Sequence, residues 1–226
     1  MTNFNSVKII SIDGNIGSGK STLMGELKKY YCENKNVVFL KEPVDEWGNI
    51  TDENGITILE KFYENPSKYG FSFQIMAYIS RLDVMRKEIK KNPNAIFISE
   101  RSLFTDKLVF AKMLFDSGNI ELVNYKIYLK WFDTFAEEFP VSKVIYVNTM
   151  PEICHERIEK RSRTGENNIP LEYLKNCHKY HNNMLDVNSE SCICKEQLIL
   201  NGNIDIYENK EQIIDWIRQI DEFISN

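Results

Sequence analysis

Short runs in which nearly every residue is apolar alternate along this chain with longer stretches that repeat apolar residues every three or four positions. The short runs, at 7–12, 37–40, 95–99, 144–148 and 197–200, are mostly apolar and rich in β-branched residues. That is the pattern of strands buried on both faces in a parallel sheet. The longer stretches predict helices over 20–31, 56–65, 71–91, 104–117, 120–137, 151–161, 171–187 and 210–224. Pro151 and Pro170 stand where helices begin, a favoured place for proline. Strand–helix alternation over the full length implies an α/β sheet with helices on both faces. In such sheets ligands bind at the carboxyl ends of the strands, so that edge is where chemistry is sought.

Composition narrows the classes. The chain has 226 residues with no repeat and no Pro/Gly/Ser-rich linker, which predicts one domain over 1–226. The formal charge is −5, from 28 Lys+Arg against 33 Asp+Glu. That balance argues against a nucleic-acid partner, which needs a basic field. No apolar run reaches the length of a membrane span, and the amino-terminal stretch lacks a signal-peptide core, so a cytoplasmic protein without a membrane partner is expected. The 5 cysteines form no framework, which predicts reduced thiols. Cys192-Ile193-Cys194, with His178 and His181 upstream, fits no common zinc spacing.

The segment IDGNIGSGKST changes the picture. Gly14-Asn15-Ile16-Gly17-Ser18-Gly19-Lys20-Ser21 matches G-x-x-x-x-G-K-[ST], followed by Thr22, between a predicted strand and a predicted helix. Glycines let backbone N–H groups turn inward around phosphate oxygens, and the helix N-terminus adds unsatisfied donors. Lys20 is placed to reach the outer phosphates of a nucleoside triphosphate, and the Ser21 hydroxyl to ligate Mg²⁺. Glu100, at the end of the apolar run AIFISE, is the second candidate metal ligand. The architecture expected is a P-loop kinase fold with a five-stranded parallel sheet.

Other residues point to an acceptor. No N-K-x-D segment of the guanine-reading kind follows, because Asn209-Lys210 continues as Glu211-Gln212. A kinase acting on a hydroxyl needs a carboxylate to accept the proton. Glu42 follows the second strand and Arg101 the third, so both lie at the carboxyl edge, where Arg101 can hold Glu42 and stabilise transferring charge. Gln74 and Arg81 share a helix face with Ala77 between them, a set that suits the edge of a planar heterocycle. Asp106 and Phe110, four apart, offer an acceptor for an exocyclic amine and a ring to stack on a base. Arg157, Arg161 and Arg163, before TGENN, read as an arginine lid over about 161–169 closing on triphosphate. Each feature taken singly is also what a solvated face or an ordinary core presents.

Together, IDGNIGSGKST, KEPVDEW, FSFQIMAYISR, ERSLFTDKLVF and RSRTGENNIPLEYL resemble the deoxynucleoside kinases related to deoxycytidine and deoxyguanosine kinase. The resemblance implies ATP and Mg²⁺, with Glu42 as base for the sugar 5′-hydroxyl and Arg101 bonded to it and to the reacting oxygens. It implies Tyr63 and Glu166 on the 3′-hydroxyl, Gln74 in paired bonds to the base, and Arg81 with Asp106 as a charged pair at its far edge. It gives Trp47 and Phe110 as ring contacts, and residues 203–206 as a loose match to an adenine-binding loop. It further implies purine deoxynucleosides or deoxycytidine over thymidine, selectivity for deoxyribose, and a homodimer. Tyr125, Tyr128, Trp131 and Phe135 are candidates for that interface and equally for the chain's own core. Two rivals remain at this stage: a monophosphate kinase of the thymidylate kinase type, and a non-catalytic nucleotide-binding regulator.

Overall fold

The structure, a computed structural model, describes residues 7–161, 169–207 and 209–225. Five strands, β1 (Lys8–Asp13), β2 (Val37–Leu40), β3 (Ile96–Glu100), β4 (Lys143–Asn148) and β5 (Gln197–Asn201), form one parallel sheet in the order β2-β3-β1-β4-β5. The central strand pairs Ile12 with Glu100 on one side and Asp13 with Tyr146 on the other. The chain therefore turns outward on both sides of β1, and the loop after β1 sits at the switch point where ligands bind in such sheets.

The period-2 alternation of the strands divides two cores. Ile9 and Phe97 face one layer, with α3 (Ile58–Glu64), α4 (Pro66–Lys91) and α7 (Leu122–Phe135). Ile10, Ile12 and Ile98 face the other, with α1 (Lys20–Tyr30) and α10 (Lys210–Ser225). Neighbouring helices α8 (Pro151–Arg161) and α9 (Leu171–Leu185) cover the phosphate-loop side. Among the described residues no helix is long and apolar enough to cross a membrane.

All five strands appear within a residue or so of their expected places. The helices differ more. The helix expected from 71 starts five residues earlier, because Pro66 occupies the first turn and the Asn65 side chain accepts from Lys68 N–H at 3.1 Å. A four-residue helix, α2 (Val44–Trp47), was not expected, being too short to show a period. The helix expected over 104–117 is α5 (Leu103–Thr105), a π-helical stretch (Asp106–Ala111) and α6 (Lys112–Asp116) in direct succession. Such widened turns recur at functional sites, and this one carries Asp106 and Phe110.

Of the four candidate interface aromatics, Tyr125 and Tyr128 are buried in the core and Phe135 packs against it. Trp131 stays 45% exposed, beside exposed Leu122, Val123 and Ile127 on the same helix. Arg163, Glu166 and nearly all of the expected lid lie outside the described residues.

The phosphate loop packs against β4 and α8 so closely that side chains do not fit. A Cβ on Gly14 would stand 2.6 Å from the Val147 carbonyl oxygen, and one on Gly17 would stand 2.6 Å from that of Cys154. Gly17 also has φ +77°, a left-handed backbone. Gly17→Ala is expected to lower stability by at least about 1 kcal/mol, from the backbone conformation alone, with the clash adding to it. Urea denaturation monitored by circular dichroism measures this.

Candidate active site

The ends of β1, β2 and β3 converge on one cleft of about 470 Å³. Its floor at one end is the phosphate loop from Ile16 to Thr22. Asn15 braces the loop from beneath, donating to Leu174 O at 2.8 Å and accepting from Ile16 N–H at 2.9 Å. Lys20 is buried, with Nζ 2.6 Å from Asn15 O. Burial, followed by the nearby Arg101 charge, lowers its pKa to about 8. Ser21 Oγ donates to Glu100 Oε1 at 2.5 Å. A hydroxyl and a carboxylate side by side at the end of a phosphate loop are hard oxygen donors, a set that fits Mg²⁺.

At the other end four charges form one buried cluster. Arg101 Nη1 lies 2.6 and 2.7 Å from the two Glu42 carboxylate oxygens. Arg81 Nη2 lies 2.9 Å from Glu42 Oε1, Arg81 Nε lies 2.9 Å from Asp106 Oδ2, and Arg81 Nη1 donates to Glu100 O at 2.6 Å. Burial alone would raise the pKa of Glu42, but Arg101 and Arg81 outweigh it and hold the carboxyl down to about 2. Asp106 differs: burial pushes its pKa up, against the pull of Arg81. Arg101 has φ +61°, rare for a residue with a side chain and a kind of strain that gathers at active sites.

Glu42, Trp47, Tyr63, Gln74, Ala77, Arg101, Asp106 and Phe110 all line this cleft, as the sequence led us to expect. Arg81 does not line it. It stands behind Asp106 and Glu42 and holds both, so at that place the cleft presents Gln74 and Asp106 rather than the Arg81 guanidinium. Gln74 is 2% exposed, and its carboxamide has no hydrogen-bonding partner among the described residues. Trp47 Nε1 is tied to Ser80 Oγ at 2.9 Å, which leaves its ring as wall. Phe110 lies 5.1 Å from the Arg101 guanidinium, a cation–π contact on the cleft side.

Sequence reasoning missed part of this wall. Phe73 stacks on Phe62 at 4.6 Å and meets Trp47 edge-on, so these rings form one aromatic side. Tyr173 from α9 stands edge-on to Tyr63. Phe62 and Phe73 each adjoin a residue already singled out, Tyr63 and Gln74, whereas Tyr173 adjoins none, and nothing in the linear pattern separates a cleft wall from a core. Toward the outside, Arg161 and the unexpected Lys160 line the cleft, with Ile204, Asp205, Tyr207 and Trp216. Arg157 reaches Gly202 O at 2.8 Å, Ile204 O at 3.3 Å and Ser18 O at 3.4 Å. Its guanidinium thus joins the phosphate loop to the segment after β5.

A loop shaped for phosphate at one end of a cleft, and a carboxylate gripped by two guanidiniums at the other, belong to a phosphate-loop phosphotransferase. The sequence model of the deoxynucleoside kinases matches residues 10–225, and the chain belongs to that family. It is 34% identical over 221 residues to a probable deoxycytidine kinase of Fowlpox virus, spanning 96% of this chain and 88% of that one. It is 34% identical to deoxycytidine kinase of Homo sapiens, spanning 79% and 75% of the two chains. Similarity extends to the mitochondrial thymidine kinase 2 of Homo sapiens, 31% identical over 78% of this chain and 64% of that one.

The pairing of Arg81 with Glu42 has a direct readout. Arg81→Gln removes one of the positive charges that depress the Glu42 pKa, so the carboxyl should titrate about 1 unit or more higher. ¹³C NMR of labelled glutamate, followed from pH 2 to 6, measures the shift.

Proposed function

We propose that this protein transfers the γ-phosphoryl group of ATP to the 5′-hydroxyl of a deoxynucleoside, as one kinase domain acting in nucleotide salvage in the cytoplasm. The observation that carries this reading is the Glu42 carboxylate, held between Arg101 and Arg81 in the same cleft as the phosphate loop. A carboxylate there suits an uncharged alcohol. It repels an acceptor that already bears a phosphate, and both nearby guanidiniums are engaged by carboxylates, so a monophosphate kinase is disfavoured.

Phosphoryl transfer passes through a loose transition state, so positioning and charge do most of the work. Glu42 is ionised at neutral pH, accepts a hydrogen bond from the 5′-hydroxyl and takes its proton as the bond to phosphorus forms. Its low basicity suits a proton that leaves late. Arg101, already on Glu42, also faces the charge growing on the transferred group. Lys20 and the loop amides hold the donor phosphates, joined by Arg161 and Lys160, with Arg163 as the further lid arginine. Ser21 and Glu100 hold Mg²⁺, which when bound neutralises charge on the donor phosphates.

The base lies between the Phe110 ring and the Trp47 side. Gln74 pairs with one edge, and Asp106 accepts from an exocyclic amine. That acceptor favours deoxycytidine or a purine deoxynucleoside over thymidine, which presents a carbonyl and a methyl group there. Ala77 leaves room for the ring. Tyr63 and Glu166 take the 3′-hydroxyl. The exposed apolar residues of α7, Leu122, Val123, Ile127 and Trp131, support a homodimer through that helix.

Rates with each of the four deoxynucleosides and their monophosphates test the acceptor class. Glu42→Gln should lower kcat by about 10²-fold with KM for ATP little changed. An unchanged kcat would sink this mechanism, and no turnover of any deoxynucleoside by the wild type would favour a non-catalytic regulator. We assign Arg157 to shaping the segment that faces the donor base rather than to gripping phosphate. Arg157→Ala should therefore raise KM for ATP about tenfold, while inhibition by inorganic tripolyphosphate stays within about threefold of wild type.

A further inference from the structure

Among the described residues, Asp13, the residue before Gly14, is the one fully buried carboxylate beside the cleft that the mechanism above leaves without a task. Its side chain is 0% exposed, and no Lys or Arg forms an ion pair with it among the described residues. Its two oxygens are instead met by hydroxyls. Ser11 Oγ donates to Oδ2 at 2.5 Å, and Thr105 Oγ1 donates to Oδ1. A buried carboxylate with no cation in direct contact, Arg101 and Lys20 acting on it only from a distance, is an expensive feature to keep where a well-packed apolar residue would fit.

What it holds is informative. Thr105 Oγ1 accepts the Ser102 N–H at 3.2 Å and lies 3.0 Å from Ser102 Oγ. In return Ser102 Oγ accepts the Thr105 N–H at 3.2 Å, so the pair forms a reciprocal cap on the first turn of α5. Ser102 follows Arg101, and Thr105 precedes Asp106. Arg101 itself is gripped through its main chain. Its N–H donates to Ile12 O at 3.0 Å, and its carbonyl accepts from Ser99 Oγ at 2.6 Å. Its left-handed backbone persists only where surrounding contacts over-determine it. The Asp13 carboxylate closes this ring of contacts on the β1 side, at the residue where the phosphate loop begins.

We propose that Asp13, acting through the Thr105 hydroxyl, is a positioning residue that sets the aim of Arg101 and Asp106 relative to the phosphate loop. Donor and acceptor halves of the cleft are carried by different connections, β1 to α1 and β3 to α5, and this hydrogen bond is a side-chain link between them. The reacting oxygen and the γ-phosphate must meet within a few tenths of an ångström, and small misplacements are costly in rate. The inference rests on the kinase reading for its kinetic consequence, and on geometry alone for its effect on Glu42.

Thr105→Val keeps the shape and removes the hydroxyl, while Thr105→Ser keeps the hydroxyl. Thr105→Val and Asp13→Asn should each lower kcat about tenfold or more, with KM for ATP and for the deoxynucleoside within about threefold. Thr105→Ser should stay within about twofold of wild type. A link that matters only for folding would lower Tm in Thr105→Val and leave kcat unchanged below the transition, and that result overturns the proposal. So does a Thr105→Ser enzyme as slow as Thr105→Val, because the methyl group rather than the hydroxyl would then be at work. If Asp13→Asn does not fold, the two Thr105 variants decide. If wild-type protein phosphorylates no deoxynucleoside, the functional reading falls on its own, and the positioning is still read by ¹³C NMR. In Thr105→Val the Glu42 carboxyl should titrate about 1 unit higher as Arg101 loses its aim, and an unmoved titration refutes the link.

Discussion

Glu42, half-buried, and Asp106, fully buried, are tolerated side by side because Arg81 and Arg101 stand against them. Breaking a buried pair by removing one member leaves an uncompensated charge, at a cost of about 3–5 kcal/mol. The four side chains come from four places: the turn after β2, the middle of α4, the end of β3 and the start of the π-helical stretch. Each is acceptable where it lies only if the other three elements are in register. The charge cluster is thus a constraint on the whole fold as well as a piece of chemistry.

The same constraint separates tasks within the cleft. Arg81 bonds Glu42, Asp106 and the Glu100 carbonyl, and it stands behind the lining. It connects Asp106, proposed to meet the base, with Glu42, proposed to meet the sugar hydroxyl, and with the strand end that carries the candidate metal ligand. Gln74, buried and unpartnered among the described residues, is left as the polar group able to bond a ring edge at both donor and acceptor positions. Trp47, Phe62 and Phe73 give the cleft an aromatic side, and a π-face can stack on rings of different size. A cleft of this kind suits a family whose named members include both deoxycytidine and thymidine kinases.

On the proposed donor side, burial holds Lys20 at a pKa of about 8 despite Glu100 and Glu42 nearby, so a bound polyphosphate would favour its charged form. Close packing explains why the loop tolerates so little: the carbonyls of Val147 and Cys154 stand where side chains on Gly14 and Gly17 would be. Arg157, which the linear pattern groups with the lid arginines, bonds three main-chain carbonyls. Its helix points it inward one turn before Arg161, a distinction that charge spacing alone does not make.

The sequence by itself determined the parallel α/β architecture, the phosphate loop and most of the lining residues. Buried strands, helix starts and the glycine–lysine motif are local patterns, written in residues close together in the chain. Glu42 and Arg101 were legible because a residue that follows a parallel strand falls at the same edge whatever the rest of the molecule does. The four-residue α2, the π-helical widening at Asp106, the place of Arg81 behind the lining, the addition of Phe62 and Phe73 to the aromatic side and the Asp13–Thr105 link were decided only by tertiary structure. Each depends on distances between segments far apart in sequence, and on which hydrogen bonds remain once every buried polar group has competed for a partner.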